Sequence, residues 1–258
     1  MPARPKVAIV VFPGSNCEHD VAAALEGLGA RAELVWHRAI SLTGYDGVVL
    51  PGGFAHGDYL RPGALARFSP VMSEIEYLAG TGAPVLGICN GFQILTEANL
   101  LPGALRCNSS SRFMCQNVEC TVTSASSMLT SMVQTGQILR LPINHFEGSY
   151  ACEPALLDQL EQRGQVVLSY VENPNGSMRS VAGVCNEAGN VVGIMPHPER
   201  ASDPLIGGTD GLLLLEAFLA AAGDPHAMSS QGTGSQGTGS HKVGQAVPSG
   251  PASQFAGY

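Results

Sequence analysis

The sequence predicts an α/β fold: a mostly parallel central sheet flanked by helices, with an antiparallel extension on the same sheet. Three observations predict it. The early β-rich runs, such as Val7-Ala8-Ile9-Val10-Val11 and Val48-Val49-Leu50, are continuously apolar rather than alternating. Strands of that kind are buried on both faces, which is the situation of a parallel sheet covered by helices. Helical patterns separate or follow the first four runs. After residue 117 the pattern changes to strands joined by short connections.

In chain order, the runs fall at 6–12, 32–36, 47–50 and 84–88, with helical patterns at 18–28, 64–79 and 91–98. Five further runs, at 117–123, 138–142, 165–170, 180–185 and 191–195, supply the antiparallel part. A last apolar helix, 210–222, follows Gly207-Gly208 and is expected to pack back on the sheet. From about residue 225 the chain becomes rich in Gly, Ser, Pro and Ala, with the near-repeat Gln-Gly-Thr-Gly-Ser at 231 and 236. Such a stretch buries too little apolar surface to offset its chain entropy. The expected organisation is one domain over 1–224 and a disordered tail over 225–258.

Composition narrows the function classes. Of 258 residues, 45% are hydrophobic and 13% charged, so a large core is available. The net charge of −8, with no Lys/Arg cluster, argues against nucleic-acid binding. The apolar run near the N-terminus is too short for a secretion signal, and no run approaches membrane-spanning length. A cytoplasmic protein without membrane contact is expected. Seven cysteines without CxxC spacing support neither a disulfide framework nor a zinc site, so no metal is expected.

One cysteine stands apart. Gly87-Ile88-Cys89-Asn90-Gly91 closes a buried strand and opens a helix. This is the G-x-nucleophile-x-G elbow, with a thiol at its tip. Flanking glycines are required because side chains there would collide with the joined elements. The helix start lowers a thiol's pKa, and its first N–H groups, Asn90 foremost, can bind a developing oxyanion. A thiol hydrolase also needs an acid/base and a group that orients it. Met195-Pro196-His197-Pro198-Glu199 follows an apolar strand, placing His197 at a strand's carboxyl end with Glu199 able to turn back on it. Leu50-Pro51-Gly52-Gly53-Phe54 follows another apolar strand and can turn the Gly53 amide toward the same oxyanion.

These segments resemble the class I (triad) glutamine amidotransferases, a flavodoxin-like family. Phe12–Cys17, Gly57-Asp58-Tyr59-Leu60-Arg61, Cys89–Leu95, Asn175-Gly176-Ser177, Ala182-Gly183-Val184 and Met195–Arg200 are similar, more narrowly, to glutaminase subunits of phosphoribosylformylglycinamidine synthases in purine synthesis. The similarity runs from about Lys6 to Ala222. It implies that Cys89 attacks glutamine, that Gly53 and Asn90 amides hold the oxyanion, and that His197, oriented by Glu199, moves the protons. Gln93, Gly52, Phe54, His145, Gly148 and Ser149 are implied glutamine contacts. In the segment His145-Phe146-Glu147-Gly148-Ser149, Phe146 and Ser149 replace the family's Gly and Asn. His56 replaces its Tyr and is expected to face a partner.

The implied partners are a large ATP-dependent formylglycinamide ribonucleotide amidotransferase subunit and a small bridging subunit. ATP with Mg belongs to that synthetase, and no cofactor is expected in this chain. Two enzyme alternatives stay open: an amidotransferase for a different acceptor, and an elbow-cysteine stress or redox protein. A regulatory subunit with a decayed site is the non-enzymatic one. Cys17-Glu18-His19-Asp20 reads as the first turn of a helix capped by Ser15 or Asn16, with acids placed against the dipole.

Overall fold

The computed structural model describes residues 4–206 and 208–224. The tail proposed for 225–258 lies outside the described residues. In chain order the elements are β1 (Lys6–Val11), α1 (Glu18–Gly27), β2 (Arg31–Trp36), β3 (Gly47–Leu50), α2 (Val71–Gly80), β4 (Val85–Ile88) and α3 (Asn90–Glu97). Then come β5 (Ala104–Arg106), β6 (Met114–Val122), β7 (Ile138–His145), β8 (Ser149–Ala151), α4 (Pro154–Gln162), β9 (Val166–Tyr170), β10 (Val181–Cys185), β11 (Val191–Ile194) and α5 (Asp210–Gly223).

Nine strands form one sheet in the order β2-β1-β3-β4-β11-β10-β9-β6-β7. The first five are mutually parallel. The other pairings, from β11–β10 to β6–β7, are antiparallel. The predicted parallel sheet with its antiparallel extension is therefore what forms, except that the run at 191–195, expected in the antiparallel part, is β11 and pairs parallel with β4, placing it in the parallel half. β3, β4 and β11 are buried at every residue, because helices cover both faces. Gly47 and Leu50 point to opposite faces of β3. The space at the Gly47 Cα is filled by Phe218 of α5, while the Leu50 side chain and carbonyl press on Gly91 of α3.

Several local readings are corrected. The pattern at 64–79 is not one helix: a short 3-10 turn at Ala66–Phe68 stops at Ser69, whose ψ of 141° is extended, and α2 begins after Pro70. Proline forces its predecessor out of the helical region. Neither Ser15 nor Asn16 caps α1; Cys17 occupies the N-cap, with no side-chain cap bond. The Ser15 hydroxyl instead accepts the Phe12 N–H at 3.0 Å, and Asn16 accepts the Cys17 thiol proton at 3.1 Å. Helix α4 and the two-stranded β5–β8 ribbon were not legible. α4 buries only Leu157 and Leu160, and each strand of the ribbon has three residues, too few for a period to show.

Candidate active site

Cys89, His197 and Gly53 come from three neighbouring strand ends. β4 lies between β3 and β11, with Gly87 paired to Leu50 on one side and to Gly193 on the other. The Cys89 N–H donates to the Ile194 carbonyl at 2.8 Å, so the elbow is tied to the strand that delivers His197. Ligand sites of open α/β sheets form at such carboxyl ends.

The elbow has the strain its sequence implies. Cys89 has φ 51° and ψ −104°, a conformation costly for a side-chain-bearing residue. A Cβ at Gly87 would lie 2.6 Å from Leu95 and 2.7 Å from the Gly91 backbone. One at Gly91 would run into the Leu50 carbonyl of β3, so the second glycine is required by a third element as well as by the joined strand and helix. Cys89 is buried, and its sulfur lies 3.5 Å from the Asn144 carbonyl at the end of β7.

His197 is fully buried where Pro198–Ala201 begins a 3-10 turn. Its N–H donates to Pro142 of β7 at 2.8 Å, and Nδ1 lies 2.6 Å from Glu199 Oε1. An ionised carboxylate only accepts, so this contact places the proton on Nδ1 and leaves Nε2 for the thiol. Nε2 meets no partner in hydrogen-bond geometry, and neither does Glu199 Oε2. Burial alone would push the imidazole pKa down; the charges of Glu199 and Cys89 reverse this and carry it well above the ordinary value. The site therefore favours the protonated imidazole beside Cys89 and Glu199.

The Gly52-Gly53 loop is pinned on both sides. The Gly52 carbonyl accepts the N–H groups of Asn16 and Cys17 at 3.3 Å, and the Phe54 N–H donates to Gly14 at 2.9 Å. Gly53 has φ 149°, and a Cβ there would approach Ser15 Cα to 2.7 Å. Gly52 sits against the His197 ring, with room for a Cβ closed by His197 Cε1 at 2.7 Å. Asn90 joins this loop to the elbow through its side chain, whose Oδ1 accepts the Ala55 N–H at 3.0 Å.

The opposite wall comes from β7 and the turn after it. Gln93 is buried rather than an exposed helix residue. Its Oε1 accepts from Asn90 at 2.8 Å and its Nε2 donates to the Glu147 carbonyl at 2.5 Å. It thus ties the elbow helix to the 145–149 turn. His145 is buried, with Nδ1 3.1 Å from Asn108 Oδ1; burial, then His197, pushes its pKa down to about 4. Asn108 also accepts the Gly148 N–H at 3.1 Å, and Asn175 and Ser177 donate to the Gly148 carbonyl. Ser149 is buried in β8, where it pairs with Arg106, while Phe54 is exposed.

Two expectations change here. His56, expected to face a partner, is half-buried, with its ring edge-on to His37 at 5.3 Å and to Phe12 at 6.5 Å. Cys17 is no ordinary cap, since its sulfur, a His197 nitrogen and a Glu199 oxygen lie within 4.8 Å of one another. Such a set could close on a metal, but Arg200 Nη2 sits 3.2 Å from the sulfur, and its charge opposes a cation. Sequence reasoning gave no function to Asn108, Asp58 or Glu147. Asp58 accepts from Asn90 at 3.3 Å, and burial, then the Glu147 charge, raises its pKa to about 6. The Gly57-Asp58 segment was a visible signal; Asn108 carried none.

The CobB/CobQ-like glutamine amidotransferase domain matches residues 4–207. The chain is 54% identical over 217 residues to a Rubrobacter xylanophilus protein named phosphoribosylformylglycinamidine synthase subunit PurQ, covering 84% of this chain and 99% of that one. A Nostoc protein of the same name is 51% identical over 216 residues, covering 83% and 96%. A chain of the PurLQS structure from Thermotoga maritima superposes with a TM-score of 0.79 at 44% identity, covering 84% and 99%. The glutaminase domain of Trypanosoma brucei CTPS, at 16% identity and TM-score 0.55 over 84% and 94%, shares the fold.

Proposed function

The chain belongs to the CobB/CobQ-like glutamine amidotransferase family, in its PurQ branch, and from this we propose that it is the glutaminase subunit of phosphoribosylformylglycinamidine synthase. The observation that carries the reading is the buried His197–Glu199 pair, 2.6 Å apart at the end of β11, beside the Cys89 elbow on β4.

In this reading the Cys89 thiolate attacks the glutamine carboxamide carbon, and the electron pair of the C=O moves onto oxygen. The N–H groups of Gly53 and Asn90 hold that oxyanion. His197 gives its proton to the leaving nitrogen, so ammonia departs and a γ-glutamyl thioester remains. Neutral His197 then takes a proton from water, hydroxide adds to the thioester carbon, and glutamate leaves as Cys89 is released. Glu199 keeps the imidazole in one tautomer and supports its charged form. Gly52, Phe54, Gln93, His145, Gly148 and Ser149 form the glutamine pocket, with Gln93 acting largely by holding the 145–149 turn.

Ammonia passes to a large ATP-dependent partner that converts formylglycinamide ribonucleotide to formylglycinamidine ribonucleotide, in a complex with a small bridging subunit. ATP and Mg are held by that partner, and this chain carries no cofactor. Among the described residues no helix is long and apolar enough to cross a membrane; we place the protein in the cytoplasm. A chloroketone analogue of glutamine should label Cys89 alone, and glutamine hydrolysis should rise when the partner subunits are added. Labelling elsewhere, or none, would overturn the reading.

A further inference from the structure

The side of the triad away from Cys89 contains an unexplained arrangement. Glu199 Oε2 is buried without a hydrogen-bond partner, although the next residue is an arginine. A carboxylate oxygen and a guanidinium so placed would ordinarily form an ion pair. Here they do not. Arg200 reaches across to the start of α1, where Nη2 lies 3.2 Å from Cys17 Sγ and Nε lies 3.3 Å from Asp20 Oδ2.

Cys17 is built to receive it. Its thiol proton is directed to Asn16 Oδ1 at 3.1 Å, which leaves the sulfur lone pairs for the Arg200 N–H. Its backbone N–H, with that of Asn16, is tied to the Gly52 carbonyl. Gly52 has no side chain, and a Cβ there would meet both the His197 ring and Cys17 Sγ, the latter at 3.0 Å. Arg200 also has space to leave its seat. A cavity of about 610 Å³ lies between α1 and the segment after His197, lined by Asp20, Leu28, Glu199, Arg200 and Asp203.

We infer that Cys17, with Asp20, is a positioning residue that holds the Arg200 guanidinium out of a direct ion pair with Glu199, so that the triad carboxylate hydrogen-bonds His197 alone. The argument is electrostatic. Glu199 supports the His197 imidazolium because its carboxylate hydrogen-bonds only that ring, although its charge also reaches the Arg200 guanidinium. A guanidinium paired with Oε2 would draw that charge away and place a second cation near the imidazole, and both effects disfavour its protonated form. The groups around His197 are Cys89 from the β4 elbow, Cys17 at the N-cap of α1, Glu199 from its own turn and His145 from β7, with Arg200 one step beyond against Cys17 and Glu199. Of these only Arg200 is permanently cationic.

This inference rests on the glutaminase reading, and its test separates the two. Glutamine hydrolysis by the assembled complex is measured against pH for wild type, C17A, C17S, D20N and C17A/R200Q. C17A should lower kcat roughly tenfold with KM unchanged and move the alkaline limb of kcat/KM down by about one pH unit. C17S keeps an acceptor for Arg200 and should restore the limb. D20N, at a half-exposed side chain, should shift it the same way but less, which keeps the test decisive if C17A does not fold. C17A/R200Q should return the limb to its wild-type place, because the competing cation is gone. Limbs unmoved in both C17A and D20N, or a double variant shifted like C17A, overturn the proposal while leaving the glutaminase reading standing. A wild-type complex that hydrolyses no glutamine overturns both.

Discussion

The two halves of the sheet do different work, and their burial shows it. In the parallel half, β3, β4 and β11 are buried at every position, and their ends carry Gly53, Cys89 and His197. In the antiparallel half, β7 is buried at alternate positions and much of β6 is exposed. Its ends carry the turn with His145 and Gly148 and the Asn144 carbonyl that meets the Cys89 sulfur. The parallel half holds the candidate reacting groups on buried strand ends. The antiparallel half supplies a wall, held through side-chain hydrogen bonds from Asn108, Asn175 and Ser177. Chemistry placed on the first and substrate fit placed on the second should separate under mutation.

The largest effect tests the parallel half directly. C89A or H197A in the assembled complex should lower glutamine turnover by at least ~10³-fold, C89A with the thermal midpoint retained and H197A with a lower one, since it leaves the buried Glu199 carboxylate unpaired. Steady-state kinetics with circular dichroism checks this, and substantial residual turnover would remove the triad from the mechanism.

The next contrast compares glycines. G91A drives a Cβ into the Leu50 carbonyl, so it should destabilise by about 3 kcal/mol or block folding. Gly136, in a turn of the antiparallel half, has φ 88° and open space around it. G136A should cost only about 1 kcal/mol of backbone strain, with activity intact. Urea midpoints would distinguish them, and equal losses would refute the contrast.

Asn108 probes the wall. N108A removes the partner of both His145 and Gly148, and should raise KM for glutamine about tenfold with kcat within about twofold. A fall in kcat at constant KM would place Asn108 with the reacting groups instead.

The smallest effect concerns Asp58, whose pKa rises to about 6 through burial and then Glu147. A folded-state value above the unfolded one means the folded protein binds more protons between the two, so stability falls as pH rises through that window. For a half-buried side chain the loss is on the order of 1 kcal/mol. D58N should flatten the urea midpoint between about pH 4 and pH 6 and raise it at pH 8. An unchanged profile would show that Asp58 is not strained in its charged form.

Much of this molecule was legible before folding, for physical reasons that vary by element. Continuous apolar runs identified the buried parallel strands, because only a strand covered on both faces can be apolar at every residue. The Cys89 elbow and Pro-His-Pro-Glu were legible because local backbone geometry demands particular residues at adjacent positions. Helix α4 and the β5–β8 ribbon carry no such demand; two buried leucines and three-residue strands give no period.

By itself, then, the sequence determined most of the sheet's two halves, the Cys89 elbow, and the pairing of His197 with Glu199, since each is written within a few neighbouring residues. The tertiary structure alone decided that β4 lies between β3 and β11, bringing the three strand ends into one site. It also decided that Asn108 braces His145 and Gly148 and that Cys17 meets Arg200, 183 residues away along the chain. Contacts of that kind depend on strand order and on which helix lies over which strand. No local pattern encodes those, because the energy that selects them comes from burying the whole sheet at once.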